Sequence, residues 1–498
     1  MRGTVATVDC GTTRVKAAVV DAGGRFLGES SRPERLTFSP DGGIEQDADR
    51  TARLALACLR DAREASGVPA ERIAAISVTG QRATAVCVDR AGDPLAPAIN
   101  WQDVRAAPAM DGLRRRLGDG PYARITGLPI HPVFTVGKVL WWRRHAPGLL
   151  RRCAQVLVLC SHVLRRFGSD GPLCDWSHAS LTGLFDTGRL DWSDDVLRAA
   201  GLRRSQLPRL VAPAAPAGAL SREAARASGL RAGTPLVAGG GDQQCSGLGA
   251  GAIRPGVLVV TLGTAAVPLL ACGRFRPDPL RRVTCVAHAA PGLWEREGLQ
   301  NGAGSSLTWL AAVLGRPRGL PPDLFREAAR LPPGAGGALF LPYLTGASSP
   351  HWDATARGAF LGLRSSHTAA HLVRAVLEGV AFETREIADV LSAGGAPVRE
   401  VRLAGGLAAL PGWAGIFADT LGRPVRTLAQ PQTTLMGGAA LAAAGAGLHP
   451  SVRAASEAMV LVRGGREPRP AAVAVYADRQ AAFRRAGAAI RAPAVGSV

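Results

Sequence analysis

Residues 9–13 read Asp-Cys-Gly-Thr-Thr, and a lysine follows at position 16. Gly11 allows close backbone approach, while Thr12 and Thr13 add hydroxyls, Lys16 a cation and Asp9 a carboxylate. That set suits a metal-bound polyphosphate, because backbone N–H groups and hydroxyls grip oxygens without bulk. A second turn of the same kind, Gly263-Thr264, lies 252 residues downstream of Gly11. A different chemistry is offered at 239–244, where three glycines precede Asp242-Gln243-Gln244. A carboxylate just past a glycine-rich strand end has backbone on both sides able to approach a substrate, which suits a general base. Gln81-Arg82 and Trp101 stand at the ends of short apolar runs, where α/β sheets present ligand groups. The competing reading makes Trp101 a packing residue and Gln81 and Arg82 plain surface. Gly304 opens an apolar helix and either holds phosphate or ribose or merely caps it. Gly405-Gly406 offers bare backbone to a flat ligand such as adenine.

The elements that must position these residues are legible in outline. Apolar arms at 5–8 and 17–20 flank the first turn, a hairpin pattern. Residues 257–272 repeat it around Gly263-Thr264, so two similar hairpins half a chain apart suggest a duplicated domain pair. Further strands are expected at 25–31, 73–79, 236–241, 338–343 and 401–403. Ala52, Ala55, Leu56, Leu59 and Ala62 recur at helical spacing along Ala48–Ser66, and 369–392 is the longest clear helix. Lys138 falls near the start of a helix in 125–145 and has two readings, a functional lysine or, the commoner case for a lone helix lysine, a solvated one. Residues 168–192 are loop-rich and include Asp-Trp-Ser-His-Ala-Ser at 175–180. Gly247, Gly249 and Gly251 superficially resemble a dinucleotide turn, but no strand directly precedes them. A small-residue helix begins near Gly437, and the chain after Pro468 reads as a peripheral helical tail.

Composition narrows the function classes. At 498 residues, two or three domains are expected. The formal charge is +20, yet only Lys16 and Lys138 among the 59 basic residues are lysines. The arginines are scattered rather than gathered with aromatics on one arm, which argues for a solvated basic surface and against a nucleic-acid binder. Nine cysteines with no CxxC pair read as free thiols of a reducing compartment, Cys10 and Cys245 among them. The first strand begins almost at once, and the apolar stretch at 435–448 is too short to span a bilayer. A cytoplasmic protein without a membrane partner is the expectation.

Taken together, the motifs resemble the FGGY carbohydrate kinases, the family of glycerol kinase, xylulokinase and ribulokinase. The likeness runs over about 4–465. Its strongest element is 358–379, with the Gly-x-aromatic-x-Gly-aliphatic start, His371 and Glu378-Gly379. The order DCGTT, GQR, NWQD, GGGDQQ, TLGT, GAGSS and AGG matches as well. The resemblance implies an α/β fold of two actin-like, ribonuclease-H-type domains around a central cleft. The implied division is 1–246 for sugar and base, 247–465 for nucleotide, and 466–498 as the tail. It further implies ATP and Mg2+ as cofactors. By the same resemblance, Asp242 looks like the base that takes the proton from the acceptor hydroxyl, Gly11, Thr12, Thr13 and Lys16 fall where the family holds the transferring phosphate, and Asp9 falls where a carboxylate faces the magnesium ion through water. Gly263 and Thr264 match the second phosphate hairpin, Gly304 the ribose and Gly405 and Gly406 the adenine shelf. Gln81, Arg82, Trp101, Asp242 and Gln243 match positions that touch the acceptor.

The pattern also departs from its relatives. Ala83 stands where glycerol kinase has an acid and Val133 where it has an aromatic, which leaves room for an acceptor larger than a triol. Xylulokinase has a Met-His pair in place of Gln81-Arg82. Leu407-Ala408-Ala409-Leu410 replaces a glycine and polar residues beside the adenine shelf, and Gln432 stands for an acid in the next loop. The expected activity is phosphorylation of a sugar, ketose or polyol larger than glycerol. A cyclitol acceptor and a non-catalytic binding protein are the alternatives. The expected partner is the small-molecule acceptor, without nucleic acid, and a homodimer is the assembly to test.

Overall fold

The computed structural model describes residues 3–394 and 396–491. The chain forms two compact units. One comprises Met1–Ile253, Gly273–Glu295 and Gln432–Leu461, and the other Arg254–Cys272, Arg296–Pro431 and Val462–Val498.

The first unit is built on strands β1 (Thr4–Cys10), β2 (Arg14–Asp21), β3 (Phe26–Pro33), β4 (Ile73–Gly80), β5 (Pro216–Ala219) and β6 (Pro235–Gly241), in the spatial order β5-β6-β4-β1-β2-β3. β1, β4 and β6 run parallel, and β2 returns antiparallel on β1. Both faces of β1 are covered, and every residue of the strand but Asp9 is buried. The helix Ala48–Ser66 lays Ala52, Ala55 and Leu59 on one face of the sheet, against Val8, Ala17 and Ile76. Its start is set by Asp47, whose side chain accepts from the Arg50 N–H, and it stops at Gly67 in the left-handed conformation. The other face is covered by the helix Thr433–Gly445, whose Leu435 and Ala439 join Val5, Val20 and Val237. A smaller sheet of Thr37–Phe38, Ile44–Gln46, Ala98–Ile99, Ala85–Val88 and Gln155–Val158 presents Asn100 and Trp101 just past one of its strands.

The second unit repeats the hairpin-plus-parallel-strand arrangement. β7 (Val257–Leu262) and β8 (Ala266–Cys272) form the hairpin, and β9 (Glu400–Ala404) pairs parallel with β7. β10 (Val425–Leu428) and β11 (Val462–Arg466) extend it in the order β8-β7-β9-β10-β11. The 25-residue helix Ala369–Ala393 buries Val376, Leu377 and Val380. The C-terminal helix Pro470–Arg491 is integral to this unit rather than a peripheral tail, with Tyr476 and Phe483 fully buried. All nine cysteines are buried. Among the described residues, no helix is long and apolar enough to cross a membrane.

Candidate active site

In the first unit the parallel register gathers the charged candidates at one edge of the sheet. Asp9 lies opposite Lys16 across the hairpin and beside Thr79 on β4. Cys10 is beside Gly80, and Gly80 is beside Gly241 on β6. The residues that follow β4 and β6, Gln81-Arg82 and Asp242, therefore emerge next to the Asp9 turn. The carboxyl ends of parallel strands are where open α/β sheets bind ligands.

Arg82 reaches across to Asp242, with Nε 3.0 Å from Oδ1, and both side chains keep partial exposure. A second Arg82 nitrogen lies 3.4 Å from the Gln244 carboxamide oxygen. Trp101 donates its indole N–H to the Thr12 hydroxyl at 2.8 Å, which ties the loop after Ala98–Ile99 to the Gly11–Thr13 turn. Lys16 donates to Gln432 at 3.0 Å. Gln432, in the loop that follows the Gly405-Gly406 region in sequence, thus meets Lys16 inside the first unit. Gln81 is buried, and its carboxamide accepts from Thr84 and Asn100 and donates toward the Gly11 carbonyl at 3.4 Å. It braces the turn from behind. Gln243 is half-buried beside Asp242, and its N–H contacts the Asp242 carboxylate at 2.7 Å.

Lys138 corrects the sequence expectation. It is 1 % exposed and donates to the carbonyls of Pro132 and Val133 at 2.7 Å each and of Trp101 at 3.2 Å. Burial pushes its amine down to about 7, with Asp103 opposing the shift. The lysine joins the Trp101 loop to the 131–134 loop, a role visible only once both loops are folded.

Asp9 is the most perturbed group of the turn. Burial, and then repulsion from Asp242, push its carboxyl up to about 7, against the attraction of Lys16. Its Oδ1 is buried without a hydrogen-bond partner. A buried, unsatisfied carboxylate is what a hard cation relieves, and Mg2+ takes one or two protein carboxylates while keeping water and phosphate as its other ligands. Asp9 fits that donor set. No cluster of three or more potential metal ligands exists among the described residues.

The glycines around Asp242 have a packing origin. A Cβ at Gly249 would meet the Thr433 carbonyl oxygen at 2.0 Å, and one at Gly437 the Cys245 carbonyl oxygen at 2.0 Å. The helices Asp242–Gly249 and Thr433–Gly445 touch backbone to backbone, and Ser246 and Thr433 share a hydroxyl hydrogen bond of 2.8 Å. The sequence likeness to a dinucleotide turn is a helix–helix contact.

In the second unit, three further candidates converge. Gly304 N–H donates to the Gly263 carbonyl at 3.0 Å and Ser305 N–H to the Thr264 carbonyl at 3.0 Å. Gly405, at φ +83°, passes so close to Leu262 that a Cβ would lie 2.4 Å from its carbonyl oxygen. Only glycine combines that conformation with that approach. Gly405 and Gly406 open onto a cavity of about 860 Å3, lined by Leu410, Ile416 and Leu428 and flanked by Arg463 and Arg466. That volume is in the range of small-molecule sites.

The sheets, with their hairpins followed by parallel strands, define a protein of two actin-like ATPase domains. The comparisons name the family. The N-terminal domain model of the FGGY family of carbohydrate kinases matches residues 4–249 and the C-terminal domain model residues 258–446. A glycerol kinase of Citrifermentans bemidjiense is 34 % identical over 452 residues, 89 % of this chain and 90 % of that protein. A xylulose kinase of Bacillus subtilis is 30 % identical over 454 residues, 91 % of this chain and 90 % of that protein. A ligand-bound xylulose kinase from Lactobacillus acidophilus superposes with a TM-score of 0.91 over 98 % of both chains at 23 % identity, a likeness of fold. The chain belongs to the FGGY family of carbohydrate kinases. It is an ATP-dependent phosphotransferase with an alcohol acceptor, and ATP with Mg2+ are its cofactors.

Proposed function

We propose that the chain phosphorylates a hydroxyl of a sugar, ketose or polyol larger than glycerol, with Asp242 as the general base. The observation that carries this reading is the Arg82–Asp242 pair at 3.0 Å, set at the same sheet edge as Asp9 and the Thr12–Thr13 turn. Phosphoryl transfer needs alignment and charge stabilisation more than covalent help. Asp242 takes the acceptor proton as the new O–P bond forms, since the alcohol turns acidic only then. Arg82 orients that carboxylate and binds the acceptor with Trp101 and Gln243, while Gln81 supports the turn beneath them. Thr12, Thr13, Lys16 and the Gly11 backbone hold the phosphate. Gly263, Thr264, Gly304, Gly405 and Gly406 receive the nucleotide on the second unit. Mg2+, when bound, neutralises phosphate charge.

The size of the acceptor is argued from two positions. Ala83 is buried at φ +63°, and its carbonyl is held by the Thr135 hydroxyl at 3.2 Å, so the residue after Arg82 offers no side-chain polar group. Val133 is half-buried and aliphatic. Both side chains are smaller than the acid and the aromatic ring that glycerol kinase has at the matching positions, which supports a longer acceptor. We place the enzyme in the cytoplasm, in keeping with a cysteine set that contains no CxxC pair and reads as that of a reducing compartment. The test is an ADP-release screen with ATP and Mg2+ over pentuloses, hexuloses, linear polyols and cyclitols, with Asp242→Asn alongside. Turnover on one class, reduced about 100-fold or more in the variant, is expected. Turnover confined to cyclitols moves the enzyme to that acceptor class, and an equally active Asp242→Asn overturns the assignment of the base.

A further inference from the structure

One constellation beside the base has no part in the scheme above. The short helix Trp176–Ser180 is preceded by Asp175, and Asp175, Ser177 and His178 are all buried. Oδ1 of Asp175 accepts from the Ser177 N–H at 2.9 Å and the His178 N–H at 3.1 Å, and it also takes the Ser177 hydroxyl proton. Its Oδ2 takes His178 Nδ1 at 2.5 Å. With its proton committed to Asp175, the Ser177 oxygen has a lone pair to offer, and it accepts the Gly241 N–H at 2.9 Å. Gly241 is the last residue of β6 and the one that carries Asp242.

The approach of this turn to β6 is close. A Cβ at Gly240 would sit 3.1 Å from Ser177 Oγ and 3.1 Å from Cys245 Sγ. On the other side, Ser180 Oγ accepts the Ala287 N–H at 3.1 Å and donates to the Trp176 carbonyl at 2.7 Å, so the turn is anchored at both ends. Burial disfavours the His178 cation, but Asp175 outweighs it, helped by Asp242 and the Gly80 carbonyl, and the imidazole is held above its ordinary range. Asp175 is correspondingly held below the usual carboxylate range, its burial overridden by His178 and Ser177.

We propose that Asp175, Ser177 and His178 form a positioning relay that fixes the Gly241–Asp242 peptide and thereby the placement of the base. His178 locks the Asp175 carboxylate, the carboxylate orients the Ser177 hydroxyl, and the hydroxyl holds the amide at the start of the base's helix. These are positioning residues, since none touches the acceptor. A buried N–H left without its acceptor is disfavoured strongly enough to swing that peptide toward another partner. The inference rests on Asp242 being the base.

The experiment uses the full chain carrying Ser177→Ala, His178→Asn or His178→Leu, with kinetics on the acceptor found in the screen and amide hydrogen exchange of the 239–244 segment. Asn retains a donor at the Nδ1 position, whereas Leu does not. The expected result for Ser177→Ala is a kcat at least tenfold lower, acceptor and ATP KM within twofold, and at least tenfold faster exchange at Gly241. His178→Leu should follow it, and His178→Asn should keep most of the wild-type kcat. A Ser177→Ala enzyme with kcat within twofold of wild type overturns the relay, as does a loss of kcat equal in His178→Asn and His178→Leu. If Ser177→Ala fails to fold, the two His178 variants decide alone. If the wild type turns over no alcohol, the functional reading falls instead. The exchange measurement then decides the relay, unchanged protection at Gly241 overturning it.

Discussion

Asp9 shows how one residue carries both a cost and a use. Its carboxyl is pushed up to about 7 from 3.8 by burial and by Asp242, so the folded chain keeps a proton that the unfolded chain has released. Between those values the native state binds more protons, and stability falls as pH rises from about 4 to about 7. Above pH 7 the native state holds an ionised, unsatisfied carboxylate, and the shift corresponds to a penalty on the order of 4 kcal/mol at most. Asp9→Asn is therefore expected to raise the urea midpoint of the nucleotide-free protein at pH 8, to leave it nearly unchanged at pH 4, and to abolish turnover. Equal midpoints for both proteins at pH 8 would show that Asp9 ionises there without strain. The turn was legible in sequence because Asp9, Gly11, Thr12, Thr13 and Lys16 are local to one hairpin. Gln81 was legible only in part: its partners Thr84, Asn100 and Gly11 come from three segments, and they turn its carboxamide inward. Lys138 misled for the same reason, since its three carbonyl acceptors belong to loops that meet only in the folded chain. A chain with 59 basic residues keeps its only two lysines at 16 and 138. Within the pocket of Lys138, a compact ammonium points at three carbonyls where a planar guanidinium would need more room.

At the scale of elements, Asp242 is placed by what packs behind it. Asp242 opens the helix Asp242–Gly249, and that helix is seated against Thr433–Gly445 through contacts that only glycine permits. The sequence showed small residues in both helices without showing that they face each other, because 192 residues separate Asp242 from its neighbour Thr434, whose hydroxyl reaches the Asp242 carbonyl at 3.4 Å. By compactness, Thr433–Gly445 belongs with the first sheet, although in sequence it lies between β10 and β11 of the second unit. Gly249→Ala tests this placement. The added Cβ falls 2.0 Å from a backbone oxygen, which cannot move aside as a flexible side chain would. Overpacking of this kind costs about 1–3 kcal/mol. The expected outcome is a lower denaturation midpoint together with a lower kcat, because the helix that yields is the one carrying Asp242. A variant with reduced stability and unchanged kcat would mean that the strain is absorbed by Thr433–Gly445 alone.

At the scale of the molecule, the sheet of each unit was foreseeable from the repeated hairpins, but the part played by the chain's end was not. Residues after Pro468 carry few apolar side chains at regular spacing, which is why they read as peripheral. Their helix nevertheless completes a buried polar cluster of the second unit. Tyr476 donates its hydroxyl to Glu378 at 2.7 Å and lies 2.8 Å from an Arg374 nitrogen, while Arg374 and Glu378 pair at 2.6 Å. Both charged residues sit on the helix Ala369–Ala393 and are nearly inaccessible to water. Glu378 also accepts the Gly334 N–H at 3.0 Å, and Arg374 donates to the Ala328 carbonyl at 3.1 Å. A buried ion pair is secure only while its remaining hydrogen bonds are satisfied. Tyr476→Phe removes one hydroxyl and is expected to cost about 1–3 kcal/mol. Tyr476→Ala also opens a cavity beside Phe382 and is expected to cost about 3–5 kcal/mol, a fall of roughly 10 °C in the midpoint of the transition that includes the second unit. Scanning calorimetry of the two variants checks this ranking. If Tyr476→Ala melts with the wild type, the C-terminal helix adds nothing to the stability of the unit, and its close packing against Phe382 and Arg374 has no energetic weight.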